Sequence, residues 1–178
     1  MPPDARRRPL LFLDVDGPLI PFGLPSREYL AYPVAAATRG MANPLVARVN
    51  PDHGRHLAAL PCELAWATTW MHEANEVIAP QIGLPPLTIV TWPEPSPDDE
   101  QGIRIGLHWK TRSLIAWAAG RPFAWVDDEI TDIDQEWARA YHPSPALLHR
   151  VNPHHGLTQA DYVVLGDWLE KAGSPTQP

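Results

Sequence analysis

Five short apolar runs, separated by segments with helical spacing, constrain the fold of this chain more than any other feature. The runs lie near residues 10–15, 64–67, 87–92, 123–126 and 147–151. Uninterrupted apolar runs of this length are typical of strands buried on both faces of a parallel sheet. The intervening segments predict helices near 53–60, 70–80, 110–119, 131–141 and 158–171, the last with Thr158 as its N-cap. This alternation predicts an α/β fold, a three-layer α/β/α sandwich around a Rossmann-like parallel sheet of about five strands.

The length of 178 residues suits a single domain, 1–178, with two short inserts. The first insert, 18–47, is rich in Pro, Gly and Ala and is expected to form a loop-rich flap or cap, although Val46–Val49 fits a short strand. The second insert, 81–109, contains the acidic, proline-rich stretch Pro93–Gln101, which is expected to be an exposed loop. The 22 prolines favour long loops throughout, since Pro fixes φ and removes a donor.

Charge and cysteine content exclude several classes of protein. The formal net charge of −7 argues against general nucleic-acid binding through a basic surface, but a metal ion could still reverse the local field for a small anionic substrate. Cys62 is the sole cysteine, so no intrachain disulfide can form. No apolar stretch reaches the roughly 18 residues of a membrane span. We expect a cytoplasmic protein with no membrane partner, and the sequence leaves its oligomeric state open.

Polar residues follow several of the apolar runs, where each predicted strand ends. They are Asp14 and Asp16 after the first run, Thr68 and Thr69 after the second, and Asp127 and Asp128 after the fourth, with Lys110 at the start of the helix before that run. In an open parallel sheet, ligands bind beyond the carboxyl ends of the strands. We therefore expect these side chains to converge at one rim of the sheet.

The chemistry available to such a set is phosphoryl transfer. Clustered carboxylates repel one another and favour a hard cation with oxygen ligands, for which Mg²⁺ is suited. Asp14 could attack phosphorus as a nucleophile, while Asp16, two residues further on, could act as general acid and base. A hydroxyl and the Lys110 ammonium would bind the phosphoryl oxygens as charge develops. Gly17 would let the backbone pass close to the metal and the phosphate.

The order of these residues, Asp14-x-Asp16-Gly17 followed by Thr68, Lys110 and Asp127-Asp128, resembles the haloacid dehalogenase (HAD) superfamily. The stretches 66–70 and 125–129 are similar to a small, cap-poor bacterial branch of it. The resemblance implies a HAD-type phosphatase, a phosphoric monoester hydrolase that forms an aspartyl-phosphate on Asp14. It implies phosphate binding by Gly17, Thr68, Thr69 and Lys110, and Mg²⁺ binding by Asp14, the Asp16 carbonyl, Asp127 and Asp128. The implied substrate is a phosphorylated small molecule or a nucleic-acid end.

Other interpretations of the same residues stay open. Where the family often has Thr after the glycine, this chain has Pro18, which lacks a backbone N–H. That departure and the short inserts permit the alternative of a HAD-fold binding or interaction protein with weak or no catalysis. The threonines could cap a helix, Lys110 could be solvated, and the acidic pair could be helix-terminal charges. A calcium loop, a sugar-nucleotide transferase motif and a receiver domain fit the order of motifs less well.

Two segments of the chain nearly repeat each other. Residues 48–54 read Arg-Val-Asn-Pro-Asp-His-Gly and residues 150–156 read Arg-Val-Asn-Pro-His-His-Gly. We interpret them as two similar strand-to-helix turns rather than a tandem repeat. His53, His154 and His155 are then predicted to be solvated turn residues, whereas His108 lies close enough to Lys110 in sequence to contact a substrate.

Overall fold

The computed structural model describes residues 8–36 and 43–174 of the protein. Its strands are β1 (Leu10–Leu13), β2 (Glu63–Trp66), β3 (Thr88–Ile89), β4 (Phe123–Asp127) and β5 (Ala146–Arg150). They form one parallel sheet in the order β3-β2-β1-β4-β5. The predicted α/β fold with a parallel sheet of five strands is confirmed.

The helices of the described residues follow the predicted alternation. They are α1 (His53–Ala58), α2 (Ala79–Ile82), α3 (Pro97–Arg104), α4 (Thr111–Ala118), α5 (Asp132–Tyr141) and α6 (Gln159–Gly173), with a π-helix at Ala74–Ile78 and 3₁₀-helices at Ser26–Glu28 and Pro44–Arg48. Thr158 is the N-cap of α6, as predicted, and Asp161 completes a capping box with it. None of these helices is long and apolar enough to span a bilayer.

Side chains of the central strands alternate between two apolar clusters, one on each face of the sheet. Leu11 and Leu13 of β1 contribute to the first cluster, together with side chains of α1, α2 and α6. Leu10 and Phe12 contribute to the second, together with side chains of α4 and α5. Helices therefore cover both faces, which gives the Rossmann-like three-layer sandwich.

The strand order places a topological switch point between β1 and β4. From β1 the chain proceeds to β2 and β3 on one side, then crosses back to β4 and β5 on the other. The amide of Asp14 donates to the carbonyl of Val126 at 3.1 Å, so β1 and β4 end at the same level. Crevices at such switch points are the usual ligand sites of open parallel sheets.

Two predictions in the loop-rich segments are wrong. Val46–Val49 is not a strand, because Pro44 starts a 3₁₀-helix and the Asn43 side chain accepts the Leu45 amide at 3.0 Å. The predicted loop Pro93–Gln101 runs into α3, which begins at Pro97. Ser96 caps that helix, and a capping box with a proline at the first position is a strong start signal. Part of the predicted flap, residues 37–42, lies outside the described residues.

Candidate active site

Two carboxylates lie at the switch point and share one ammonium group. Asp14 follows β1 and Asp127 ends β4. Lys110 Nζ donates to Asp14 Oδ2 at 2.6 Å and to Asp127 Oδ2 at 2.8 Å. All three residues are buried, at 8%, 0% and 2% exposure for Asp14, Asp127 and Lys110. Three predicted site residues from distant parts of the sequence thus meet in one hydrogen-bonded group.

Burial and mutual charge set the protonation of this group. Burial raises the pKa of Asp14 to about 7; the Lys110 ammonium opposes that shift and the Asp127 charge adds to it. Burial by itself lowers the pKa of Lys110, but the two carboxylates outweigh it and raise that pKa above its ordinary value. Lys110 therefore stays positively charged. A further positive charge beside Asp14 would stabilise the ionised form of that carboxyl group.

A third buried carboxylate, Asp134, holds the turn that carries Lys110. Asp134 Oδ1 accepts the Thr111 hydroxyl at 2.6 Å and the His108 amide at 2.8 Å. The other oxygen of Asp134, Oδ2, accepts the Thr131 hydroxyl at 2.8 Å, and Thr131 is the N-cap of α5. The turn that carries Lys110 is thus tied to the start of α5, so the ammonium position depends on packing between α4 and α5.

Asp16 lies two residues after Asp14 and is oriented by an indole. Trp70 Nε1 donates to Asp16 Oδ2 at 2.9 Å. The partly buried carboxylate keeps its second oxygen without a protein partner among the residues that the structure describes. An acid or base that is held at one oxygen and exposed at the other can exchange a proton with a bound molecule.

Gly17 and Pro18 form the turn that brings these carboxylates together. Gly17 has φ of +85°, and a Cβ there would collide with the Asp128 carboxylate, so a side chain would separate β1 from the end of β4. The turn closes through Leu19 N and Ile20 N, which both donate to the Val15 carbonyl at 3.0 Å. None of these bonds needs an N–H at Pro18, so the proline removes no hydrogen bond of this turn.

The predicted threonines separate into a buried and an exposed residue. Thr68 is fully buried, and its Oγ1 accepts the Trp70 amide at 3.3 Å. Thr69 lines the pocket instead. This carboxylate pocket, of about 160 Å³, is lined by Asp14, Asp16, Phe22, Thr69, Trp109, Lys110, Asp128 and Glu129. Of the two threonines, Thr69 is therefore the one that lines this pocket.

The donor set fits a divalent cation. Carboxylate oxygens of Asp14, Asp127 and Asp128 lie within 4.8 Å of one another. With all three ionised, Lys110 compensates only part of their negative charge. Burial, with a smaller contribution from the neighbouring Asp127 charge, raises the pKa of Asp128 to about 6. Hard oxygen ligands with excess negative charge are the environment that Mg²⁺ favours.

Several residues around the site were not predicted from the sequence. Trp70 and Asp134 position other groups, and Phe22 lines the pocket at 40% exposure. Only Asp134 carries a readable signal, since Thr131-x-x-Asp134 is a capping-box pattern. His53 was predicted to be solvated but is 8% exposed, because it packs under α6 and bonds Tyr162 at 2.7 Å.

Comparisons of this chain with models of known protein families, with curated proteins and with solved structures found no match. The functional assignment therefore depends on the geometry of the site and on the order of its residues.

Proposed function

We propose that this protein is a Mg²⁺-dependent phosphohydrolase of the HAD type, in which Asp14 attacks phosphorus. The observation that carries the proposal is the Lys110 ammonium shared between Asp14 and Asp127 at the switch point, with Asp16 held beside it by Trp70. A nucleophile, a cation and a proton donor lie together in one small pocket. Positioning and charge neutralisation supply most of the catalysis in phosphoryl transfer.

The site residues have distinct roles in the proposed reaction. An Asp14 oxygen bonds to phosphorus as the bond to the leaving oxygen breaks, and Asp16 gives that oxygen a proton. Water then attacks the phosphorus of the aspartyl-phosphate, gives its proton to Asp16, and releases phosphate and free Asp14. Lys110 and Thr69 hold phosphoryl oxygens throughout. When bound by Asp14, Asp127 and Asp128, Mg²⁺ would neutralise charge on those same oxygens.

The test is hydrolysis of p-nitrophenyl phosphate and acetyl phosphate with Mg²⁺ by the wild type and by Asp14→Asn. Asn retains the shape but cannot form the acyl phosphate, so we expect a loss of at least about 1,000-fold in kcat/KM. Asp167→Asn, which neutralises an exposed carboxylate on α6, is the matched control and should leave the rate unchanged. Equal activity in wild type and Asp14→Asn would refute the assignment of Asp14 as the nucleophile.

Beryllofluoride binding shows whether the site works even if the chosen esters are not substrates. With Mg²⁺ it mimics a phosphoryl group on a carboxylate, so it should raise the melting temperature of the wild type and leave that of Asp14→Asn unchanged. A wild type that hydrolyses no ester and does not respond to beryllofluoride would contradict the proposal and favour a binding protein on the same fold.

A further inference from the structure

A second pocket lies beside the carboxylate pocket, between the two nearly identical segments 48–54 and 150–156. It has a volume of about 220 Å³. Arg48, Asn50 and His53 of the first segment line it, and so do His154 and His155 of the second. The repeated sequence therefore has a shared location, which two unrelated turns would not require.

The two segments build the same turn. Asn50 Oδ1 accepts the Asp52 amide at 3.0 Å, and Asn152 Oδ1 accepts the His154 amide at 2.9 Å. Both are Asx turns, in which the asparagine side chain replaces a backbone hydrogen bond. The interpretation as two strand-to-helix turns holds only for the second, since the first follows a 3₁₀-helix. In both copies the turn presents a histidine to the second pocket.

Pro21 and Phe22 form the wall between the two pockets, and both segments hold it. Arg48 Nη1 donates to the Pro21 carbonyl at 3.0 Å. On the other side, the Pro153 carbonyl accepts the Phe22 amide at 2.8 Å, and His154 Nδ1 donates to the Phe22 carbonyl at 3.0 Å. Pro21 lines the second pocket and Phe22 lines the carboxylate pocket, so the two are adjacent.

The lining of the second pocket is dominated by planar groups. Five of the residues that line it carry aromatic rings, namely Tyr29, Tyr32, His53, His154 and His155. The Arg48 guanidinium lies 4.3 Å from the Tyr29 ring centroid and adds another plane. Nucleobases stack on aromatic rings and on arginine planes. Pockets for drug-sized ligands span roughly 300–1,000 Å³, so this smaller pocket suits a single planar ring system.

The polar groups of the second pocket suit a neutral ligand. Burial, helped by His56, lowers the pKa of His53 to about 4, so this ring is uncharged at neutral pH. The Arg48 charge is opposed by Glu28 on the same lining. Asn50 uses its oxygen in the turn, which leaves its amide nitrogen as a donor. Such a lining offers stacking and hydrogen bonds without a strong field for a second phosphate.

From these contacts, and resting on the phosphohydrolase function proposed above, we propose that the leaving group of the substrate is a nucleoside and that the second pocket holds its base. The substrates are then mononucleotides, with the phosphate at Asp14 and the base beyond the wall of Pro21 and Phe22. A sugar phosphate, whose leaving group is not planar, is the competing substrate class.

The experiment compares kcat/KM for AMP, GMP, CMP and UMP with that for glucose 6-phosphate, with acetyl phosphate as a donor too small to reach the second pocket. We expect at least one mononucleotide to exceed glucose 6-phosphate by about 10-fold or more, which corresponds to one stacked base. Equal or better turnover of glucose 6-phosphate would overturn the inference.

Two variants test whether the second pocket causes the preference. Tyr29→Leu removes a stacking ring and should lower kcat/KM for the preferred nucleotide about 10-fold, mainly through KM, with acetyl phosphate unchanged. Tyr29→Phe keeps the ring, loses only the bond from the Leu24 amide, and should behave like the wild type. Asn50→Asp keeps the turn acceptor, removes the amide donor and should change the order of the four nucleotides. Unchanged nucleotide kinetics in both Tyr29→Leu and Asn50→Asp would overturn the assignment of the second pocket to the base and would leave the proposed phosphohydrolase function in place.

The failure of the proposed function is distinguishable from the failure of this inference. If the wild type hydrolyses no ester, binding of adenosine, guanosine, cytidine and uridine, which carry no phosphate, is measured by calorimetry. Binding that Tyr29→Leu abolishes and Tyr29→Phe retains supports the base pocket on its own. No binding of any of the four nucleosides contradicts it.

Discussion

At the scale of single residues, the site combines groups that would be unfavourable apart. Asp14 and Asp127 are buried carboxylates within reach of each other, and Lys110 is a buried ammonium. Each would cost several kcal/mol if left unpaired in the interior. Together they offset part of that cost and leave an excess of negative charge. Such an arrangement favours function over stability, since the excess charge is useful only when a cation or substrate is bound.

Asp14→Asn should therefore stabilise the protein in metal-free buffer at pH 8. The pKa of Asp14 is about 7 in the folded protein, against an ordinary value of 3.8 for an aspartate, so the folded state binds this proton more tightly. The loss of folding stability caused by ionising buried Asp14 is absent below about pH 4, grows as the pH rises and is complete above about pH 7. As the pH rises from 4 to 7, the free energy of unfolding of Asp14→Asn should increase by about 1–3 kcal/mol relative to that of the wild type.

The measurement is thermal or urea unfolding with EDTA at a series of pH values. Asp167→Asn serves again as the control and should follow the wild-type curve. A difference between Asp14→Asn and wild type that stays constant from pH 4 to pH 8 would contradict a raised Asp14 pKa.

At the scale of secondary-structure elements, local signals predicted most boundaries and contacts overrode a few. The apolar runs located all five strands, and Thr158 located the start of α6. The helix predicted over 70–80 is displaced, because Met71 adopts a φ of +49° and a π-helix precedes Pro80. Proline cannot donate to the helix ladder, so an irregular turn before it is physically reasonable, but periodicity alone cannot predict it.

The junction of α1 and α6 should control stability in mild acid. His53 of α1 lies 2.7 Å from the Tyr162 hydroxyl of α6, and burial lowers its pKa to about 4 from 6.5. The folded state thus resists protonation, while the unfolded state accepts a proton at about pH 6.5. Stability is complete above that pH and is lost as the pH falls towards 4, by roughly 3 kcal/mol.

His53→Gln removes this titration and should unfold with a weaker pH dependence between pH 7 and 4, whatever its stability at pH 7. The exposed His72, changed to Gln, is the control and should retain the wild-type slope. Parallel stability curves for wild type and His53→Gln across this range would rule out the assignment to His53.

At the scale of the whole molecule, the parallel sheet explains how much of the site was predictable. Residues at strand ends meet at one rim whatever their separation in sequence, so Asp14 and Asp127 could be placed together from the pattern alone. The burial of Thr68, the position of Thr69 on the pocket and the bond from Trp70 to Asp16 depend on side-chain directions after a strand ends. The second pocket depends on contacts among four separate loops, and no local pattern encodes such contacts. The near repeat of 48–54 in 150–156 was visible in the sequence, but its meaning required the fold.

Because the proposed Mg²⁺ ligands come from both sides of the switch point, metal binding should stabilise the fold as a whole. Asp14 follows β1, whereas Asp127 ends β4 and Asp128 follows it, and unfolding separates the two sides. Above its dissociation constant, each tenfold rise in free Mg²⁺ should add about 1.4 kcal/mol to the free energy of unfolding. Asp128→Asn should weaken this response and Asp127→Asn should abolish it, while Asp167→Asn should respond like the wild type. Denaturant titrations at several Mg²⁺ concentrations measure the slope, and an equal slope in wild type and Asp127→Asn would show that Mg²⁺ acts elsewhere than at this rim.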